Sequence, residues 1–368
     1  MINRLLVLFV FILSIQFIVL LPICSAENRL QIGATSALTG PASTYGTDIK
    51  NLLLFANHEL AKDKYEIVIE DDRCNPKEAV TIAHRFVSVN KLPYIIGFPC
   101  SGTSLAVAPI LEKSKVVLMT YGSAPAISHA GDYIFRTRAS DEFGLKLLYE
   151  HFKSTHRRLG VIVEQTDYAV DTAKTFQKLN NTNTIELIEE NYISDSDLRP
   201  ILLRLKQKAV DGIFIVLQTE LTMINALKQM KELKLELPIY GSNAADSPTL
   251  LNIAGSTADG LVVFGQPEVP DSLSPEGKLL YERFIKQYGP MRGMKLVFLT
   301  SMLAFDALHR AISSGENVKE YLYNNKFGGV FGEFSFDKNG DIIGLPFVLK
   351  KVTNGKFEEL KTPPHSLN

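Results

Sequence analysis

The sequence predicts an α/β protein of two doubly wound, parallel-sheet domains. Strand-like and helix-like runs alternate along almost the whole chain with short loops between them, the pattern of parallel strands covered by helices on both faces. About ten such units exceed one comfortable core, so the 368 residues are expected to divide into two domains. Charge is balanced, with 39 basic against 40 acidic residues, which argues against a nucleic-acid binder and its basic surface.

The elements follow in order. Residues 1–26 read as an export leader: Arg4, then the apolar run 5–21, then Pro22 and the small residues Ser25 and Ala26, with cleavage expected after Ala26. An uncleaved anchor and lipidation at Cys24 are the rival readings. The leader points to the periplasm, and residues 1–26 are set aside from the fold. LQIGATSAL (30–38) is a strand that ends in a Thr-Gly-Pro loop. In 45–62, Ile49, Leu52, Leu53, Ala56 and Leu60 recur at helical spacing. YEIVIEDD (65–72) alternates as a strand, and Asn75-Pro76 supplies an N-cap and first turn for the next helix. PYIIGF (93–98) is a buried strand. GTSLAVAPILEKS (102–114) is a helix in which Pro109 predicts a kink or an early stop. KVVLMTYG (115–122) is a strand.

The alternation resumes in the second half. A helix over about 141–154 precedes the strand 158–165. Further helix–strand pairs lead to the strands 211–218, 237–243 and 259–266. Two helices follow, and GEFSFDKNGDIIGLPFVLKKV closes the chain as two strands around the turn Asp337-Lys338-Asn339-Gly340.

In doubly wound sheets, ligands sit beyond the carboxyl ends of strands, where loops run into helix N-termini. The polar loops fall there: 36–45, 100–104, 121–125, 166–168 and 241–246. The stretch GFPCSGTS leaves three readings open. Gly97 and Gly102 have phosphate-loop spacing, but Thr103 replaces the lysine that neutralises phosphate charge. Ser101 is a candidate nucleophile, yet the G-x-S-x-G elbow is absent. The third reading is an anion clasp, in which backbone N–H groups at a helix N-terminus and the Ser101 and Thr103 hydroxyls hold a carboxylate without a charged side chain. Ordinary helix capping by Ser101 or Ser123 would look the same. Asp71-Asp72 reads as a solvated strand-to-helix turn. The histidines show no metal-ligand spacing, and neither a metal nor another cofactor is expected. With the leader removed, Cys74 and Cys100 remain, and in an oxidising compartment they read as one disulfide or as two buried thiols.

Seven stretches in order, IGATSALTGPASTYG, EDDRCNPKEAV, IIGFPCS, TYGSAP, YIFRTRASDEFG, YGSNAADSPTLLNIAGSTADGLVVF and FGEFSFDKNGD, resemble type I periplasmic binding proteins. The nearest group is the leucine/isoleucine/valine-binding family of ATP-binding-cassette transporters. The resemblance covers essentially the whole chain after the leader. It implies two Rossmann-like lobes, 27–140 with 268–332 and 141–267 with 333–368. Three strands would cross between them near 136–141, 264–269 and 331–336. It also implies a Cys74–Cys100 disulfide and a small-molecule ligand trapped by hinge closure. Ser101 and Ser123 would grip the ligand carboxylate, Gly122 would offer its carbonyl, Tyr45 would line the side-chain pocket, and Tyr168 would close over the ligand from the second lobe. Where the family carries an acidic partner for a ligand ammonium, this chain has Asn243, with Asp246 the nearby substitute. The implied ligand is an aliphatic or branched-chain amino acid, or an amide, urea or small carboxylic acid if the ammonium site is lost. The implied partner is an inner-membrane permease, with the binding protein itself a monomer and not an enzyme. A ligand-sensing signalling module is the remaining alternative.

Overall fold

The computed structural model describes residues 29–193 and 196–360; the leader call falls outside them. The first sheet holds β1 (Gln31–Ser36), β2 (Glu66–Asp71), β3 (Tyr94–Gly97), β4 (Val117–Thr120) and β5 (Ile134–Arg136). All its pairings are parallel and the order is β2-β1-β3-β4-β5. The second sheet takes β6 (Arg158–Glu164), β7 (Glu186–Tyr192), β8 (Gly212–Val216), β9 (Ile239–Gly241) and β10 (Val262–Gly265) in parallel. After the short strands β11 (Phe327–Gly328), β12 (Glu333–Phe336) and β13 (Ile342–Ile343), the chain adds β14 (Val348–Thr353) and β15 (Lys356–Glu359) to its edge, antiparallel. The resulting order is β15-β14-β10-β9-β8-β6-β7.

Period-two alternation explains why the second sheet is covered on both faces. Val161 and Val163 of β6, with Phe214 and Val216 of β8, face the large core shared with the first lobe. Ile162, Ile213 and Ile215 face a separate cluster. In the first lobe, helix Leu296–Ser314 packs on helix Ser43–Ala61 and buries Phe298 and Phe305. Its length and apolarity match a membrane span, but 67% of its apolar window lies inside the protein, as befits a core helix.

Local signals account for several termini. The Asn75 side chain accepts from the backbone N–H groups of Lys77 and Glu78, capping helix Pro76–His84. Pro109 sits exposed in helix Ser101–Ser114, which runs through it without the expected early stop. The Asp337–Gly340 turn is present: the Asn339 N–H donates to Asp337, and Gly340 takes φ +75° with a virtual Cβ 2.2 Å from the Ile134 carbonyl oxygen. A side chain there would collide with β5.

Three features differ from the sequence reading. Asp72 is fully buried, not solvated, and burial pushes its carboxyl up to about 6. The closing segment forms a further hairpin, β14–β15, around Asn354 and Gly355, both at positive φ. Residues 333–343 stay with the first lobe: Phe336 packs edge-on against Phe135, and the fully buried Arg136 binds both oxygens of Asp341. After Ile343 the chain goes on to β14, which pairs with β10 of the second sheet.

Candidate functional site

Each sheet reverses its winding once. In the first, β1 lies between β2 and β3; in the second, β6 lies between β7 and β8. Loops leaving the two sides of such a point diverge and leave a crevice at the carboxyl ends. Here the two crevices contribute to one cleft. The first lobe supplies Tyr45, Pro99, Ser101, Tyr121 and Ser123, and the second supplies Tyr168, Gln218, Asn243 and Ala244. Its apolar side includes Ile49, Met294, Leu296 and Val297. The free volume is about 30 Å³, room for little more than one or two water centres.

The Ser101 loop is held from several directions. Cys74 and Cys100 form a disulfide, with Cα atoms 5.5 Å apart, that ties the loop after β2 to the residue preceding helix Ser101–Ser114. Phe98 is buried at φ +51°, a costly conformation for a bulky residue. Its N–H donates to Thr35 Oγ1, and its carbonyl accepts from Ser104 and Thr120. Ser101 Oγ accepts from the Ala124 N–H at 3.1 Å, which leaves its own O–H to donate. Gly102 brings the helix N-terminus against the second lobe: a Cβ there would sit 2.6 Å from Asp167 Oδ2.

Asp141 organises the other wall. It is fully buried at the start of helix Asp141–Thr155. Tyr168 Oη donates to its Oδ2 at 2.7 Å, and Asn243 Nδ2 donates to its Oδ1. Asn243 Nδ2 also reaches Ser123 Oγ at 3.3 Å, and the Asp141 N–H donates to the Ser123 carbonyl at 2.9 Å. Burial pushes the Asp141 carboxyl up to about 6, against the opposing pull of Arg138 and the Tyr168 hydrogen bond. Tyr45, Tyr121 and Tyr168 are all shifted up, by burial first, and so are neutral phenols at pH 7.

Of the residues singled out in the sequence, Tyr45, Ser101, Ser123, Tyr168 and Asn243 come together in this cleft. Gly122 lies beside it, its virtual Cβ 3.3 Å from Ser101 Cα. Asp246 does not join them. The 3₁₀ turn Asn243–Ala245 carries it into a neighbouring cavity of about 320 Å³, where Lys350 Nζ binds it at 2.7 Å. Arg138, Gln218 and Met294 line the cleft and were missed. No histidine lines it among the described residues, so Ser101 has no imidazole base there.

The fold is two-lobed, and the cleft lies between the lobes. The periplasmic binding protein family model matches residues 29–356, and the chain belongs to that family. It is similar to the Leu/Ile/Val-binding protein of Escherichia coli (strain K12), 24% identical over 350 residues that cover 90% of this chain and 93% of the relative. Among solved structures, a leucine-binding protein from Thermotoga maritima MSB8 superimposes with a TM-score of 0.81 at 23% identity, covering 90% of this chain and 97% of that one. A solute-binding protein of an ABC transporter from R. palustris, in complex with benzoate, gives 0.79 at 15% identity, covering 90% and 95%. These relatives are solute-binding proteins, and this chain is a binding protein, not an enzyme.

Proposed function

We propose that this protein is the periplasmic receptor of an ATP-binding-cassette importer and captures one small, carboxylate-headed solute between its lobes. The observation that carries the reading is the convergence of Ser101 and Ser123 from one lobe with Tyr168 and Asn243 from the other around one buried cleft. In this reading, Ser101 and the helix N-terminus behind it take the carboxylate, with Ser123 beside them. Gly122 supplies backbone at the same turn, Tyr45 bounds the ligand body, and Tyr168 covers it. A carboxylate head is common to the ligands for which these relatives are named or with which they are complexed, amino acids for some and benzoate for another.

A cleft of about 30 Å³ admits a solute only when the lobes part. The contacts that must break include Asn243 to Ser123, the Ala126 N–H to Asp171 at 2.9 Å, and the Thr249 hydroxyl to the Arg292 carbonyl. The proposed lobes are 27–140 with 268–343 and 141–267 with 344–368, and the closed form is the one that a permease would dock. Isothermal titration of ligand-stripped protein with small amino acids and carboxylic acids tests this. One solute should bind at micromolar affinity or better, and Ser101→Ala should weaken it roughly tenfold, the worth of one hydrogen bond to a charged group. Full affinity in Ser101→Ala would refute the assigned grip.

A further inference from the structure

We infer that the solute is an anion with no ammonium group, and that Arg138 is its counter-ion. The inference rests on the receptor reading above and narrows its ligand class. Arg138 is the one charged side chain among the described cleft-lining residues. It is 9% exposed. Its Nε makes no hydrogen bond, and the one contact recorded for its Nη2 is to Met294 Sδ at 3.6 Å. A buried guanidinium with an unsatisfied donor is costly, and a planar carboxylate matches its fork. The cleft thus offers two kinds of anion grip, the Ser101 helix terminus and a cation.

It offers no matching anionic group for a ligand cation. Asn243 lines the cleft as a neutral amide, with its nitrogen committed to Asp141 and Ser123. Asp141 itself accepts from Tyr168 and Asn243 and does not line the cleft. Asp72 and Glu220, which act on Tyr45 electrostatically, are buried and do not line it either. Burial pushes all three of these carboxyls up, towards their neutral forms. Asp246 is held by Lys350 in the next cavity. An ammonium in the cleft would be desolvated beside a buried guanidinium, whereas a carboxylate would complete it. The remaining wall, with Ile49, Met294, Leu296, Val297 and the three tyrosines, suits an apolar or aromatic body. The class is therefore a small aliphatic or aromatic carboxylic acid.

The test titrates the refolded, ligand-stripped protein with matched pairs: 4-methylpentanoate against leucine, and benzoate and 3-phenylpropanoate against phenylalanine. At least one acid should bind, with its amino acid partner weaker by roughly 100-fold or more. Arg138→Gln should lose roughly 10- to 100-fold for that acid, the range for a charge-assisted hydrogen bond. To separate lost binding from misfolding, Asn243→Glu provides the second arm: a carboxylate in the cleft should shift preference from the acid towards the amino acid. Tight leucine or phenylalanine binding by the native chain, with no loss in Arg138→Gln, overturns the ligand class and leaves the receptor reading standing. Silence from every acid and every amino acid overturns both.

Discussion

Removing the Cys74–Cys100 bridge should cost both stability and affinity, and the first cost can be worked out in advance. The two cysteines are 26 residues apart. Closing a loop of that length removes about 12 cal/mol/K from the unfolded chain, or about 3.5 kcal/mol at 25 °C. Unfolding entropy of about 2.1 cal/mol/K per residue, summed over residues 31–360, converts this to about 5 °C in melting temperature. The test compares the double variant Cys74→Ala/Cys100→Ala with the native chain by differential scanning calorimetry. The same variant also frees the residue before Ser101 and removes the Cys100 Sγ that lies 3.0 Å from Tyr45 Oη, so affinity should drop several-fold. A melting shift under 1 °C would refute the loop-entropy reasoning. A full shift with unchanged affinity would show that the bridge supports the fold without positioning Ser101.

Three further outcomes are expected. Asp141 has a folded-state value raised to about 6 from 3.8, so its stabilising effect is complete below about pH 4 and is lost as pH rises to 6, amounting to about 3 kcal/mol. Urea unfolding across pH 4–7 should show the stability of the native chain relative to Asp141→Asn falling by that amount; a flat difference would contradict the assignment. Lys350→Met strands the partly buried Asp246 beside Glu268 and should cost about 3 kcal/mol, with Lys350→Met/Asp246→Leu recovering part of it; equal melting points for the native chain and the single variant would dispose of this. Asn75→Ala removes a satisfied helix cap and should cost about 1 kcal/mol in chemical denaturation, and no measurable loss would mean that the cap is redundant.

Local rules made much of this architecture readable. Asn75-Pro76 marked a helix start because capping depends on neighbours in sequence, and alternating apolar residues marked the strands for the same reason. The polar loops fell at strand ends, which brought Ser101, Ser123 and Tyr168 into view before their meeting could be seen. What stayed hidden depends on three-dimensional direction. Asp246 was expected beside Asn243, but one 3₁₀ turn swings it to Lys350, a residue over a hundred positions away. Arg138 lies between β5 and the helix that starts at Asp141, where neither helical nor strand periodicity applies, so nothing marked it as inward-facing. The β14–β15 hairpin had an audible signal in Asn354-Gly355, which the longer Asp337–Gly340 turn overshadowed.

Arg136 is clamped by Asp341, Ser128 and the Ala124 carbonyl, and Arg138 follows two residues later on the same passage. In the receptor reading proposed above, a charge so close to the pivot would travel little as the lobes swing, so it would face an arriving solute in the open and the shut form alike. Tyr168 and Asn243 would arrive only with the second lobe. Encounter and retention are thereby assigned to different residues: changes at Arg138 should slow association, and changes at Tyr168 should shorten residence, a division that stopped-flow measurements would resolve as separate rate constants.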